Sequence, residues 1–116
     1  MPEPALLATI RTSLQAQREG LRRELSGYGA DPDTGELTFD DDAGFADRSH
    51  SSEERSRLIA VVESLRANLR DVDIALAKLT SGEYGTCEGC GRSIGSERLE
   101  AIPWAGLCID CKRADA

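Results

Sequence analysis

The sequence has few aromatic residues, an excess of acidic over basic residues and no long apolar run. It contains two Phe, two Tyr, one Trp and a single His among 116 residues, and its net charge at pH 7 is -7. Tight non-specific binding to nucleic-acid phosphates needs clustered Lys and Arg, so direct DNA binding is not expected. A chain of this length also excludes the large two-domain catalytic folds.

Neither a membrane span nor an export signal is predicted. The longest aliphatic run covers residues 58–62, whereas a transmembrane helix needs roughly 18 apolar residues. The sequence starts Met1-Pro2-Glu3, without a basic stretch followed by an apolar core. We therefore expect a cytoplasmic protein that does not contact the membrane.

Two stretches have the periodicity of amphipathic helices, predicted over residues 5–26 and 52–80. The first has apolar residues on one face: Leu7, Ile10, Leu14, Leu21 and Leu25. The second has three heptads of a coiled-coil seam: Leu58, Val62, Leu65, Leu69, Val72, Leu76 and Leu79. Such a narrow seam must be buried, and an antiparallel hairpin of the two helices buries it within one chain. A parallel homodimeric coiled coil is the alternative.

The segment between these helices, residues 27–51, carries nearly all of the excess negative charge. It contains seven acidic residues and one basic residue, a net of -6, together with four Gly and one Pro. No helical or strand period is sustained, so a long acidic tip is predicted. Asp33-Thr34-Gly35 matches the triplet of aspartic proteases, but those enzymes need two copies. Because a single copy follows Asp31-Pro32, we predict a turn here.

All four cysteines lie in the last 30 residues, as two C-x2-C pairs separated by 17 residues: Cys87, Cys90, Cys108 and Cys111. Each pair presents two thiolates to one side of a metal, and two pairs complete a tetrahedron around zinc. Gly89 and Gly91 suit the sharp turns that such pairs need. We therefore predict one structural zinc ion (Zn2+) bound by these four residues.

Three other interpretations of the cysteines are less consistent with the sequence. Disulfides suit an exported domain, and the cytosol keeps thiols reduced. A thioredoxin-like redox pair needs a preceding strand and a surrounding α/β domain. A catalytic zinc ion keeps an open position for water, which four cysteines would fill. No nucleophile or acid–base pair is identifiable either, so the protein is not expected to be an enzyme.

The cysteine region resembles the DksA/TraR family of zinc-finger transcription regulators. The similarity is greatest in three strings: Gly85-Thr-Cys87-Glu-Gly-Cys90-Gly91, Arg98-Leu99-Glu100-Ala101 and Leu107-Cys108-Ile109-Asp110-Cys111-Lys112. The resemblance implies a mainly α fold, in which an antiparallel two-helix coiled-coil hairpin with a long acidic tip precedes a small C-terminal four-cysteine zinc ribbon. On this basis, residues 1–84 form the hairpin and residues 85–116 the zinc-finger domain.

The resemblance also implies a partner and a mode of action. Family members bind core RNA polymerase, insert the hairpin into the secondary channel of the polymerase and place acidic tip residues near the catalytic centre. In some members the zinc module and the helix ends help to form a site for the alarmone ppGpp, for which no residue is assigned here.

The tip of this sequence departs from the family pattern Asp-x-x-Asp-x-Ala. Ungapped alignment from the cysteines places Gly44, Asp47 and Ser49 at the three defined positions, so only Asp47 matches. We predict Asp47 as the main effector residue, and the acids that precede it as further candidates: Asp40, Asp41 and Asp42. A zinc-ribbon coiled-coil adaptor or dimerisation module without a direct effect on transcription is the alternative function.

Overall fold

The structure, a computed structural model, describes residues 3–37 and 52–115. These residues form four helices: α1 (Pro4–Gly27), α2 (Ser52–Ser81), α3 (Ser96–Ala101) and α4 (Ile109–Asp115). Within the described ranges, β-structure is limited to two isolated antiparallel bridges, Ala30 with Leu37 and Thr86 with Ser93. Within the described residues, no helix has the length and hydropathy of a membrane span.

The two long helices match their predicted ranges to within one residue at each end. The predicted helices cover residues 5–26 and 52–80, and the observed ones are Pro4–Gly27 and Ser52–Ser81. In the predicted tip, residues 28–37 are described and form a turn. The remainder of the predicted tip, with its four candidate acids, lies outside the described residues.

The chain divides into two compact units, each of which contains part of both long helices. One unit comprises Met1–Arg18 and Arg70–Ala116, and the other comprises Glu19–Leu69. This division differs from the predicted domain boundary between residues 84 and 85. That boundary stays a prediction.

The Glu19–Leu69 unit has its own apolar core, formed by the end of α1, the start of α2 and the turn between them. Its buried residues are Leu25, Ala30, Val62 and Leu69, against which four partly buried side chains pack: Leu21, Leu37, Leu58 and Leu65. Burial of aliphatic side chains at these positions stabilises the pairing of the two helices.

A C-terminal capping motif at the end of α1 turns the chain into this core. Ala30 N–H donates to the carbonyl of Leu25 at 2.9 Å, and Gly29 N–H donates to that of Ser26 at 3.0 Å. With Gly29 at φ +79°, these bonds form a Schellman motif, in which glycine takes the left-handed conformation at low cost. Leu25 and Ala30, the apolar pair typical of this motif, both lie in the core.

In the other unit, the start of α1 pairs with the end of α2. Ile10 and Leu14 of α1 and Val72 and Ala75 of α2 are all buried. An ion pair joins the helices, with Arg18 Nε and Asp73 Oδ1 2.7 Å apart. Since the start of one helix pairs with the end of the other in each unit, the helices are antiparallel. The predicted fold class, a mainly α protein with a helical hairpin and a clustered four-cysteine module, is confirmed.

Candidate metal centre

The first cysteine pair lies in a tight turn that follows α2. Gly91 N–H donates to the carbonyl of Cys87 at 2.9 Å, and Cys87 N–H donates to that of Arg92 at 2.7 Å. Gly91 has φ +74°, a conformation that glycine adopts without strain. These bonds curl residues 87–92 so that the two thiols of the pair face the same side.

The second pair lies at the start of α4. Cys108 directly precedes this helix and Cys111 belongs to its first turn. Lys112 N–H donates to the carbonyl of Cys108 at 2.9 Å, so the turn that holds the pair is already helical. A backbone bond from Glu88 N–H to the carbonyl of Gly106, also 2.9 Å, brings the second pair beside the first.

The four sulfur atoms form one cluster. The Sγ atoms of Cys87, Cys90, Cys108 and Cys111 all lie within 4.8 Å of one another. Cys90 Sγ and Cys108 Sγ are 3.8 Å apart, and a zinc tetrahedron with Zn–S bonds of 2.3 Å has an S···S edge of about 3.8 Å. Both the donor set and the spacing therefore fit a single zinc ion.

Backbone amides point at the most buried of the four sulfurs. Gly89 N–H and Cys108 N–H each donate to Cys87 Sγ at 3.3 Å. The hydrogen bond from Cys108, followed by those from the turn, lowers the pKa of Cys87 to about 6. By contrast, hydrogen bonding to Cys87 raises the pKa of Cys111 to about 12. A thiol whose thiolate is stabilised in this way is a ready metal ligand, because zinc binds the deprotonated form.

Glycine is favoured at position 89 because there is little room for a side chain, and not because of its backbone conformation. A Cβ atom at this position would lie 3.1 Å from Cys111 Sγ and 3.4 Å from a Leu107 methyl. The sequence-based argument from glycine dihedrals is correct for Gly91, whereas Gly89 has no positive φ. Its missing side chain lets the second cysteine pair approach.

Two contacts tie this module to the end of α2. Tyr84 is buried, and its hydroxyl donates a 2.7 Å hydrogen bond to the carbonyl of Pro103. Lys78 Nζ, on the last turns of α2, pairs with a carboxylate oxygen of Glu88, the residue after the first cysteine. The side chain at the end of the helix therefore contacts the metal-binding turn directly.

The short helices and these contacts were not predicted from the sequence. Leu99 of α3 is almost fully buried, and Arg98 Nε donates to the carbonyl of Leu107 at 2.9 Å. Helices of six and seven residues are too short to show a period. The one available signal was Leu99, an apolar residue within a charged string.

The structure brings together all four cysteines that the sequence singled out. The candidate effector residues are not part of this geometry: Asp40, Asp41, Asp42 and Asp47 lie outside the described residues. Their role as effectors therefore stays a prediction.

Residues 82–115 match the family described as the prokaryotic dksA/traR C4-type zinc finger. This range contains α3, α4 and the complete cysteine cluster. A four-cysteine finger and the clustered thiols together establish one structural zinc ion as the cofactor.

Longer similarities extend to most of the chain. The RNA polymerase-binding transcription factor DksA of Escherichia coli K12 is 36% identical over 108 residues, which are 93% of this chain and 70% of that protein. The same-named protein of Haemophilus influenzae is 42% identical over 67 residues, which are 58% of this chain and 46% of that protein.

Among solved structures, the transcription factor DksA2 from Pseudomonas aeruginosa matches with a TM-score of 0.70 and 26% identity. The match covers 97% of this chain and 84% of that one. All three relatives are transcription factors, in agreement with the prediction that the protein is not an enzyme. Because the similarity runs through both long helices as well as the cysteine module, the chain belongs to the DksA/TraR family of C4-type zinc-finger proteins.

Proposed function

We propose that this protein is a regulator of transcription that binds RNA polymerase. The observation that carries the proposal is the 36% identity over 93% of this chain to a protein named as an RNA polymerase-binding transcription factor. The helical pairing adds support, since an antiparallel hairpin is the element that the family resemblance assigns to the polymerase.

In the proposed mechanism, the hairpin enters the secondary channel of the polymerase and the acidic segment acts near its catalytic centre. The segment of residues 27–51 carries a net charge of -6. Carboxylates brought close to a metal-dependent catalytic centre alter the potential felt by bound metal and substrate. Asp47, the one match to the family's tip pattern, is proposed as the main effector.

The zinc ion has a structural role in this proposal, with Cys87, Cys90, Cys108 and Cys111 as its four ligands. When bound, it crosslinks two turns that are 17 residues apart in sequence and that have little apolar surface of their own. Lys78 and Glu88 connect the first of these turns to α2. The zinc module thereby holds the base of the hairpin. Neither direct DNA contact nor a residue-level site for ppGpp is part of the proposal.

The test is a crosslinking map with a photo-crosslinking amino acid in place of Asp47, on zinc-loaded protein mixed with core RNA polymerase. We expect crosslinks to secondary-channel peptides near the catalytic loops. The matched control carries the crosslinker in place of Arg113, an exposed residue of α4, and should label different peptides. No crosslink from either position, together with a stable homodimer in sedimentation, would favour the adaptor function instead.

A second experiment separates binding from effect. Asp47→Ala should retain affinity for polymerase while losing most of the effect on transcription. Glu63→Ala, which removes one negative charge from an exposed position on α2, should retain both. If Asp47→Ala leaves the transcription effect intact, the effector assignment is wrong.

A further inference from the structure

A small closed turn follows α1 and lies within the first part of the acidic segment, residues 27–51. Residues 30–37 are here called the base turn, because they form the base of the acidic tip and not the base of the hairpin. They are closed by the bridge between Ala30 and Leu37. Asp31 N–H donates to the carbonyl of Glu36 at 2.9 Å, and Gly35 N–H donates to that of Asp31 at 2.6 Å. Backbone bonds thus define the turn at both its ends and its middle.

Side-chain hydrogen bonds fix the conformation of the turn further. The Asp31 carboxylate accepts hydrogen bonds from the backbone N–H groups of Asp33 at 2.8 Å and Thr34 at 3.4 Å. The Thr34 hydroxyl in turn accepts one from Glu36 N–H at 3.2 Å. An Asx turn of this kind replaces solvent hydrogen bonds with internal ones. The predicted turn at Asp33-Thr34-Gly35 is confirmed, and it is more extensively bonded than its sequence indicated.

The apolar core of the Glu19–Leu69 unit anchors the base turn. Ala30 belongs to the buried core of the Glu19–Leu69 unit, and Leu37 packs against that core. Since the bridge joins these same two residues, both ends of the turn are anchored in the core.

One polar anchor connects the turn to α1. Arg22 Nη1 and Asp33 Oδ1 are 2.9 Å apart. The Asp33 side chain is largely exposed, so this pair contributes little to stability by itself. It does restrict where the outer part of the turn lies.

On the α2 side, the turn packs closely against one side chain, that of Arg66. The Arg66 side chain crosses directly over Gly35, so that a Cβ atom at residue 35 would overlap the Cδ and Nε atoms of Arg66. Gly35 also has φ +73°, a backbone conformation that residues other than glycine adopt only at a cost in free energy. The backbone conformation therefore favours glycine at this position, and the absence of a side chain lets the flexible arginine lie close to the turn.

We propose that Arg66 and Asp33 are positioning residues, which hold the base turn against α2 and α1 and so fix the position of Leu37 on the hairpin. The inference deepens the proposed function and rests on it, because the residues that follow Leu37 carry the candidate effector acids. Contacts with both helices give the part of the chain that carries these acids a fixed starting point at Leu37. If the base turn were not held, the position of Leu37 would vary.

The first test uses the free, zinc-loaded protein. Spin labels are attached through non-canonical amino acids at Glu36 and Ala60, two exposed positions, which leaves the cysteines unmodified. We expect a narrow distance distribution in the otherwise unchanged protein and a clear broadening in Arg66→Ala and in Asp33→Asn. Arg70→Ala is the matched control, since Arg70 is an exposed arginine one turn further along α2. It should leave the distribution unchanged.

The second test asks whether the anchors direct the acids on the polymerase. In proteins with the crosslinker in place of Asp47, Arg66→Ala should remove most of the main polymerase crosslink, because the crosslinker is no longer held beside its target. Polymerase affinity should be retained, which a merely destabilised protein would not show. Arg70→Ala should again behave like the unchanged protein.

The outcomes separate this inference from the function on which it rests. An unchanged spin-label distance in both anchor variants would overturn the anchoring, and unchanged crosslinks with a broadened distance would overturn its role in positioning. If neither Asp47 nor Arg113 gives a polymerase crosslink in the otherwise unchanged protein, and that protein is a stable homodimer, the proposed function is wrong. The spin-label distances then decide the anchoring alone.

Discussion

Tyr84 Oη donates a 2.7 Å hydrogen bond to the carbonyl of Pro103, a residue 19 positions further along the chain. Tyr84 follows the end of α2, and Pro103 lies between the two cysteine pairs. The tyrosine ring is buried, so this bond fastens the helix end to the zinc module in a place from which water is excluded. Without the hydroxyl, this hydrogen bond would be lost and the buried carbonyl of Pro103 would be left unpaired.

Removal of this hydroxyl should destabilise the zinc module. We expect Tyr84→Phe to lower the free energy of unfolding by about 1–2 kcal/mol, the usual range when a buried hydrogen-bonding partner is lost. Denaturant titration of zinc-loaded protein measures it. Tyr28→Phe is the control, because Tyr28 is 47% exposed. Equal effects of the two substitutions would contradict the structural role of the bond.

The same tyrosine should give the protein a characteristic loss of stability in alkali. Burial raises the pKa of Tyr84 from 10.0 to about 12. Because the folded state holds this proton more tightly than the unfolded state, its contribution is fully present below pH 10 and is lost as pH rises through about 12. The stability difference between the natural protein and Tyr84→Phe should therefore shrink between pH 10 and 12. A constant difference across that range would contradict the prediction.

The elements that were predictable are those encoded by a repeated local pattern. The seam from Leu58 to Leu79 specified α2, because an uninterrupted heptad pattern has one face to bury. Two C-x2-C pairs specified the zinc cluster for a similar reason, since each pair is a local turn with a known preference for zinc. Both patterns can be recognised from the local sequence alone, without knowledge of distant residues.

The elements that were missed depend on partners far away in sequence. Nothing near Tyr84 points to Pro103, and nothing near Gly35 points to Arg66, because such pairs form only after the helices and turns are packed. The short helices α3 and α4 are likewise stabilised by their surroundings, since isolated helices of this length are unstable in water. The base turn was predicted as a turn, whereas its anchors on the two long helices were not.

Loss of zinc should unfold the cysteine module and leave much of the hairpin helical. The Glu19–Leu69 unit has an apolar core of its own, whereas the cysteine module depends on the metal. Trp104, the single Trp, lies between the cysteine pairs and reports on that module alone. We expect a chelator to shift its fluorescence to longer wavelength while far-UV circular dichroism loses only a minor part of its helical signal.

Two controls accompany this measurement. Cys90→Ser should release zinc at lower chelator concentration than the natural protein, whereas Ser93→Ala, three residues away, should not. Added zinc should restore the fluorescence of the natural protein. A complete loss of the helical signal on chelation would mean that the long helices themselves depend on the metal.

Two glycine-to-alanine substitutions in the same unit should change stability in opposite directions. Gly20 lies within α1, and an added Cβ would meet no atom within 4 Å. Gly20→Ala should therefore stabilise the protein by about 0.5–1 kcal/mol, through the higher helix propensity of alanine. Gly35→Ala should destabilise it by about 1–3 kcal/mol, because alanine must adopt a positive φ and displace Arg66.

A double-mutant comparison separates the two costs at Gly35. In an Arg66→Ala background, Gly35→Ala should cost less than in the natural protein, because only the backbone strain remains. The difference between the two costs, measured by denaturant unfolding, is the coupling between the glycine and the arginine. Identical costs in both backgrounds would mean that Arg66 does not constrain residue 35, and Gly35 would then be required only for its left-handed conformation.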